Sequence, residues 1–270
     1  MEWFEAIILG LVQGLTEFLP VSSSGHLEIG KEVLGVNTPD DLMFTTMVHA
    51  ATVLSTILVF RKQILDLIKG FFKFKYNDQT DYVLKIALSI IPVMIVGLCF
   101  KDNIEALFGS IKVVGCALVV TAVLLFFSDM ASKSSSASAK PSAKEVRNGI
   151  SYWQAFVVGL GQALAVIPGL SRSGTTISTG LICGVKREVI AQFSFLMVLI
   201  PILGESFLEL VGGEFASSSI GALPLVLGFV SAFLSGLFAC KVMIALVKKA
   251  KLGWFALYCL VAAASIFIFG

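Results

Sequence analysis

Charge is scarce in this chain. Of 270 residues only 14% are Asp, Glu, Lys or Arg, against 57% hydrophobic, and the mean hydropathy is +0.92. So few polar groups cannot cover that much apolar surface, which excludes a soluble globular domain and indicates a polytopic membrane protein. Lys and Arg lie between apolar runs rather than in a patch, so the net charge of +2 gives no sign of a nucleic-acid partner, and none is expected. Cysteine is sparse. Cys99, Cys116, Cys183, Cys240 and Cys259 show neither paired metal spacing nor a disulfide framework, and most sit in apolar segments where packing is the expected role. Histidine is scarcer still, at two residues, His26 and His49. Residues 1–10 lack the basic region and small-residue cleavage site of a signal peptide, so the first apolar segment is expected to persist in the mature protein.

What is present is a repeat. The stretch 13–26, QGLTEFLPVSSSGH, has a second copy at 162–175 with no gap, 149 positions on. Gly10 pairs with Gly159, Leu11 with Leu160, Gln13 with Gln162, Leu15 with Leu164, Ser22 with Ser171, Ser24 with Ser173 and Gly25 with Gly174. The copies differ at the chemistry-bearing positions: Glu17 faces Val166, Ser23 faces Arg172 and His26 faces Thr175. One half brings carboxylate and imidazole, the other guanidinium, as if both met at one site.

Apolar segments around each copy are short, and Pro20 stops the first. The expected fold is all-α, with a re-entrant helical hairpin at 3–34 broken at its Ser-rich tip and spans near 42–60, 82–100 and 111–127. After a cytoplasmic linker at 129–150, rich in small and polar residues, the plan recurs: a hairpin at 152–185 and spans near 189–211, 223–246 and 254–269. Basic residues support the sidedness. Arg61, Lys62, Lys69, Lys73 and Lys75 follow the first span, Lys133, Lys140, Lys144 and Arg147 mark the linker, and Lys186, Arg187, Lys248, Lys249 and Lys251 fall on the same side. The opposite side has Lys31, Lys101 and Lys112, and the loop 212–221 has no basic residue. An odd number of crossings between the hairpins makes the repeat inverted, with both tips near mid-membrane. Backbone N–H groups at the half-helix starts after Ser24 and Ser173 attract anions. Gly10 with Gly14, and Gly159 with Ala163, are small residues on one face that would let the two hairpins approach closely.

Glu17 lies one turn after Gln13, so both project from one face near the tip. A carboxylate at membrane depth needs a partner or water, which makes it a site candidate. Arg172 in the facing tip either forms a structural pair with Glu17 or holds an anion with its planar fork. Ser22, Ser23, Ser24, Ser171 and Ser173 supply hydroxyls, most of them as caps or binding groups. His26 follows the serines closely enough for a base and nucleophile arrangement. His49, inside a span, ranks behind these residues, and Glu205 with Glu209 is a structural polar pair or a gate.

Two motifs now carry a resemblance: Gln13, Glu17, Ser22, Ser23, Gly25 and His26 in the first copy, and Pro168, Gly169, Ser171, Arg172, Ser173 and Thr176 in the second. Together they resemble the undecaprenyl-diphosphate phosphatases, also called bacitracin resistance proteins, over essentially the whole chain. The resemblance implies removal of the terminal phosphate from a C55 lipid diphosphate in the bacterial plasma membrane, recycling the carrier for cell-wall synthesis. It implies a divalent cation, Mg²⁺ or Ca²⁺, held with help from Glu17. Many family members carry Glu at the position of Gln13, and a neutral amide can coordinate but cannot act as base. On this reading Ser23, His26, Glu17 and Arg172 are catalytic, while Gln13, Ser22, Ser24, Ser171, Ser173 and Thr176 bind the headgroup. The partners are the polyprenyl lipid and membrane lipid, with no nucleic acid, and a homodimer is left open.

Two rivals remain. A phosphatidic acid phosphatase mechanism needs a His six positions after Arg172, where Ser178 stands. A secondary transporter or flippase for an anionic lipid would use the same broken-helix repeat.

Overall fold

The computed structural model describes residues 1–36, 41–108, 110–137, 146–211, 220–249 and 251–269. The linker stretch 138–145, most of the loop 212–221, and the side chains of Glu205 and Glu209 lie outside that description. Every regular element among the described residues is helical: α1 (Trp3–Phe18), α2 (Ser23–Leu34), α3 (Asp41–Val59), α4 (Arg61–Phe71), α5 (Asp78–Cys99), α6 (Lys101–Phe108), α7 (Ile111–Ala137), α8 (Tyr152–Leu164), α9 (Arg172–Ile182), α10 (Arg187–Val211), α11 (Ala222–Lys249) and α12 (Gly253–Phe269). A short 3₁₀ turn, Arg147–Gly149, precedes α8.

Four described helices contain a stretch long and apolar enough to cross a bilayer: Asp78–Cys99, Ile111–Ala131, Arg187–Gly204 and Ala222–Leu246. A fifth crossing results if α3 and α4, bent by 75° at Phe60, are taken together. Helix α12 is apolar but shorter. Large apolar side chains such as Ile95, Phe126, Phe238 and Ile268 are more than half exposed, too many for a surface that faces water. This is a multi-pass membrane protein.

Two features depart from the expected layout. The basic connection after the first span is itself helical, as α4, and α7 runs through Ser128 to Ala137 into the stretch read as linker. The linker's far end is docked. Asn148 donates to Asp81 Oδ2 at 2.8 Å and Lys85 donates to the Arg147 carbonyl at 2.8 Å, with Lys85 and Asp81 forming a buried pair.

Both motif copies fold by one local device. Helix α1 ends ahead of Pro20 and α8 ahead of Pro168. Each next helix starts on a serine cap, where Ser22 Oγ accepts from the Gly25 N–H at 3.2 Å and Ser171 Oγ from the Gly174 N–H at 3.1 Å. α1 packs on α2, α8 on α9, and the two breaks touch. The Gly169 N–H donates to Ser24 Oγ at 3.4 Å, and Ser173 Oγ donates to the Leu19 carbonyl at 3.0 Å.

The small-residue faces serve a different contact from the one expected. A Cβ on Gly10 would strike Ser231 and the Gly228 carbonyl, and one on Gly14 would strike Ser235 and the Ala232 carbonyl. In the second half a Cβ on Gly159 would strike the backbone of Ser89. The stripes therefore seat α1 on α11 and α8 on α5, not hairpin on hairpin, because α11 supplies its own row of small residues as the matching groove.

Candidate functional site

Glu17 sits in the last turn of α1, its side chain 9% exposed. Its Oε2 accepts from Gln13 Nε2 at 2.8 Å, one turn back, and from Ser23 Oγ at 2.5 Å, the first residue of α2. His49 Nε2 on α3 lies 3.7 Å from the same oxygen. Arg172, the first residue of α9, brings a guanidinium nitrogen to 3.7 Å from Oε1. That separation is beyond hydrogen-bond length, so the attraction to Glu17 holds the guanidinium nearby without consuming its donors. Carboxylate and guanidinium from the two motif copies thus share one cleft, also lined by Thr52, Thr56, Ser194 and a wall of Phe18, Phe195 and Leu199. The cleft is partly open, with a cavity volume of ≈ 30 Å³.

The remaining predicted residues divide. Ser22 caps α2 from a left-handed backbone, φ 68°, and its Oγ lies 3.3 Å from Ser24 Oγ. Ser171 caps α9, receives support from Thr121 Oγ1 at its own N–H at 3.1 Å, and lies 3.4 Å from Ser173 Oγ. Thr176 bonds the Arg172 carbonyl at 2.8 Å and Ser194 Oγ at 2.6 Å, so it braces the first turn of α9. His26 is placed differently from the base and nucleophile arrangement with Ser23: Nδ1 lies 2.7 Å from the Ser22 carbonyl and Nε2 2.7 Å from the Tyr258 hydroxyl. Ser23 has Glu17 as its partner instead.

The donor set bears on a metal. Among the described residues no three His, Cys, Asp or Glu side chains cluster into a closed cage. Gln13 Oε1, however, is buried with no hydrogen-bond partner in the residue that already touches Glu17. One carboxylate with a neighbouring carbonyl oxygen fits a hard cation that completes its shell from phosphate oxygens and water.

The comparison with known families decides the kinship. Residues 6–265 match the family model described as "Bacitracin resistance protein BacA". This chain belongs to the BacA family. Similar BacA-family proteins include one from Bacteroides fragilis named "Undecaprenyl-diphosphatase", 53% identical over 263 residues, with 96% of this chain and 95% of the relative covered. One of the same name from Parabacteroides distasonis is 53% identical over 266 residues, with 97% and 96% covered. A more distant one from Methanococcus maripaludis is 37% identical over 265 residues, with 98% and 99% covered.

In this BacA chain His49 stands behind Glu17, while Thr52, Thr56, Ser194 and Tyr258 were not among the residues singled out from the sequence. A signal for the first three existed. His49, Thr52 and Thr56 recur at spacings of three and four, one polar stripe along an otherwise apolar helix. Tyr258 had no such signal, being a single aromatic in the last helix.

Proposed function

We propose that this chain hydrolyses undecaprenyl diphosphate to undecaprenyl phosphate and inorganic phosphate, returning the carrier to cell-wall synthesis. The observation that carries this reading is the meeting, at the Glu17 carboxylate, of Ser23 from the same motif copy and Arg172 from the distant one. The names of the full-length relatives point to the same chemistry, and they do not favour the carrier alternative.

A diphosphate headgroup carries about two to three negative charges and gains more at the transferred phosphoryl group, so donors must be aimed there in advance. Arg172 supplies them, its planar fork matched to phosphate oxygens. The N–H groups opening α2 and α9 add a second positive end. Ser23 is the group placed to attack the terminal phosphorus, its hydroxyl proton directed at Glu17 Oε2. As the Oγ–P bond forms, the bridging P–O bond breaks and the lipid monophosphate leaves. Water then releases phosphate from Ser23. His49 stands beside the same Glu17 carboxylate oxygen, 3.7 Å away. Gln13 and Glu17 would hold Mg²⁺ or Ca²⁺, which when bound neutralises charge on the phosphoryl oxygens.

The paired breaks form the tips of two re-entrant hairpins in an inverted repeat. Support comes from the exchange of neighbours: α1 packs on α11, and its counterpart α8 on α5. The basic residues of 61–75 and of the linker put those segments in the cytoplasm, so the first hairpin opens to the outer face of the plasma membrane. The polyprenyl tail stays in lipid along the apolar walls.

The test is phosphate release from a polyprenyl diphosphate by purified protein in detergent, with and without chelator. Glu17→Ala and Arg172→Ala should each lower kcat/KM by about 10²–10³-fold. Intact turnover in both variants overturns the site. Movement of the lipid across vesicles with no phosphate released would favour the carrier instead.

A further inference from the structure

His26 is held at both ring nitrogens, and the two partners differ in kind. At Nδ1 stands the Ser22 carbonyl, 2.7 Å away, which can only accept. The hydrogen of the neutral ring is therefore on Nδ1, leaving Nε2 as an acceptor. At Nε2 stands the Tyr258 hydroxyl, 2.7 Å away, which must then donate. The rings also stack, with centroids 5.5 Å apart and an interplanar angle of 10°. Tyr258 comes from α12, the last helix, and reaches across to the first break.

The Ser22 carbonyl is no ordinary acceptor. Ser22 sits at φ 68°, a left-handed conformation that a residue with a Cβ adopts only under constraint, and it immediately precedes Ser23. A bond from His26 Nδ1 fixes that carbonyl, while the Gly25 N–H fixes the Ser22 hydroxyl. The geometry points to Tyr258 as a positioning residue for phosphoryl transfer: by donating to Nε2 and stacking on the ring, it keeps His26 turned with its Nδ1–H on the Ser22 carbonyl, and through that ring it holds the strained Ser22 that aims Ser23 at Glu17. The kinetic half of this inference rests on the phosphatase reading; the tautomer half does not.

The chain has only two histidines, so ¹⁵N-histidine NMR of the full-length protein in detergent is readable, with His49→Gln assigning the signals. Wild type should show His26 as the Nδ1–H tautomer. Tyr258→Phe keeps the stacked ring and removes one hydroxyl, so the fold should survive. The expected result is a mixture of His26 tautomers with kcat down about tenfold and KM unchanged. Tyr258→His, which restores a donor on an aromatic ring, should recover part of both. An unchanged His26 tautomer in Tyr258→Phe overturns the inference, as does an altered tautomer with unchanged kcat or a loss confined to KM. Should wild type release no phosphate at all, the phosphatase reading falls, and the tautomer result still decides whether Tyr258 governs His26.

Discussion

Glu17 has a hydrogen-bonded pair, Gln13 and Ser23, on one oxygen, with two basic groups, His49 and Arg172, standing back at 3.7 Å. A purely structural ion pair at this depth would close to hydrogen-bond contact, because an open pair in a low-dielectric setting forfeits most of what compensates its desolvation. The open spacing instead leaves donors for a phosphate. Two expectations follow. Arg172→Lys keeps the charge but loses the fork, and should still cost about 10²-fold in kcat/KM, measured by phosphate release. Gln13→Glu places a second carboxylate where an amide now donates to Glu17. Two such groups repel unless a cation lies between them, so this variant should saturate at lower free Mg²⁺ than wild type, read from activity across a metal titration.

At the level of elements, close helix contacts rather than charged pairs set where the two breaks lie. Gly14 and Gly159 each face a backbone that leaves no room for a methyl group, whereas Gly97 on α5 has open space around it. Gly14→Ala and Gly159→Ala should destabilise by about 1–3 kcal/mol, seen as a lower Tm in detergent, because the helix axes must part. Gly97→Ala should be neutral or stabilising by up to about 1 kcal/mol, since it only restores helix propensity. Helix α4 carries a different burden. It leaves α3 at 75°, with exposed Leu65, Ile68 and Phe72 among lysines, the pattern of a helix lying along the bilayer surface. Its absence from the expected layout has a plain cause: basic residues were read for sidedness, and the same residues spaced around a helix also make an amphipathic face.

For the whole molecule the proposed inverted arrangement predicts sidedness. Val33 and Phe74 are 79% and 86% exposed and lie on opposite sides of the proposed topology. In a cysteine-free background, Val33→Cys should react with an impermeant thiol reagent from outside intact cells and Phe74→Cys only after lysis; the reverse pattern would invert the assigned orientation. Membrane residence, the doubled motif, and its serine caps and proline stops were legible from residue types and spacing, because those follow from local backbone rules and from the cost of polar groups in lipid. Which residue partners which was decided only by tertiary structure. Ser23 takes Glu17 rather than His26, His49 joins the carboxylate from another helix, Gly14 seats α1 on α11, and Tyr258 reaches back to the first break. Those choices depend on how separate helices pack against one another, and a linear pattern records which face a residue occupies without recording what will be pressed against it.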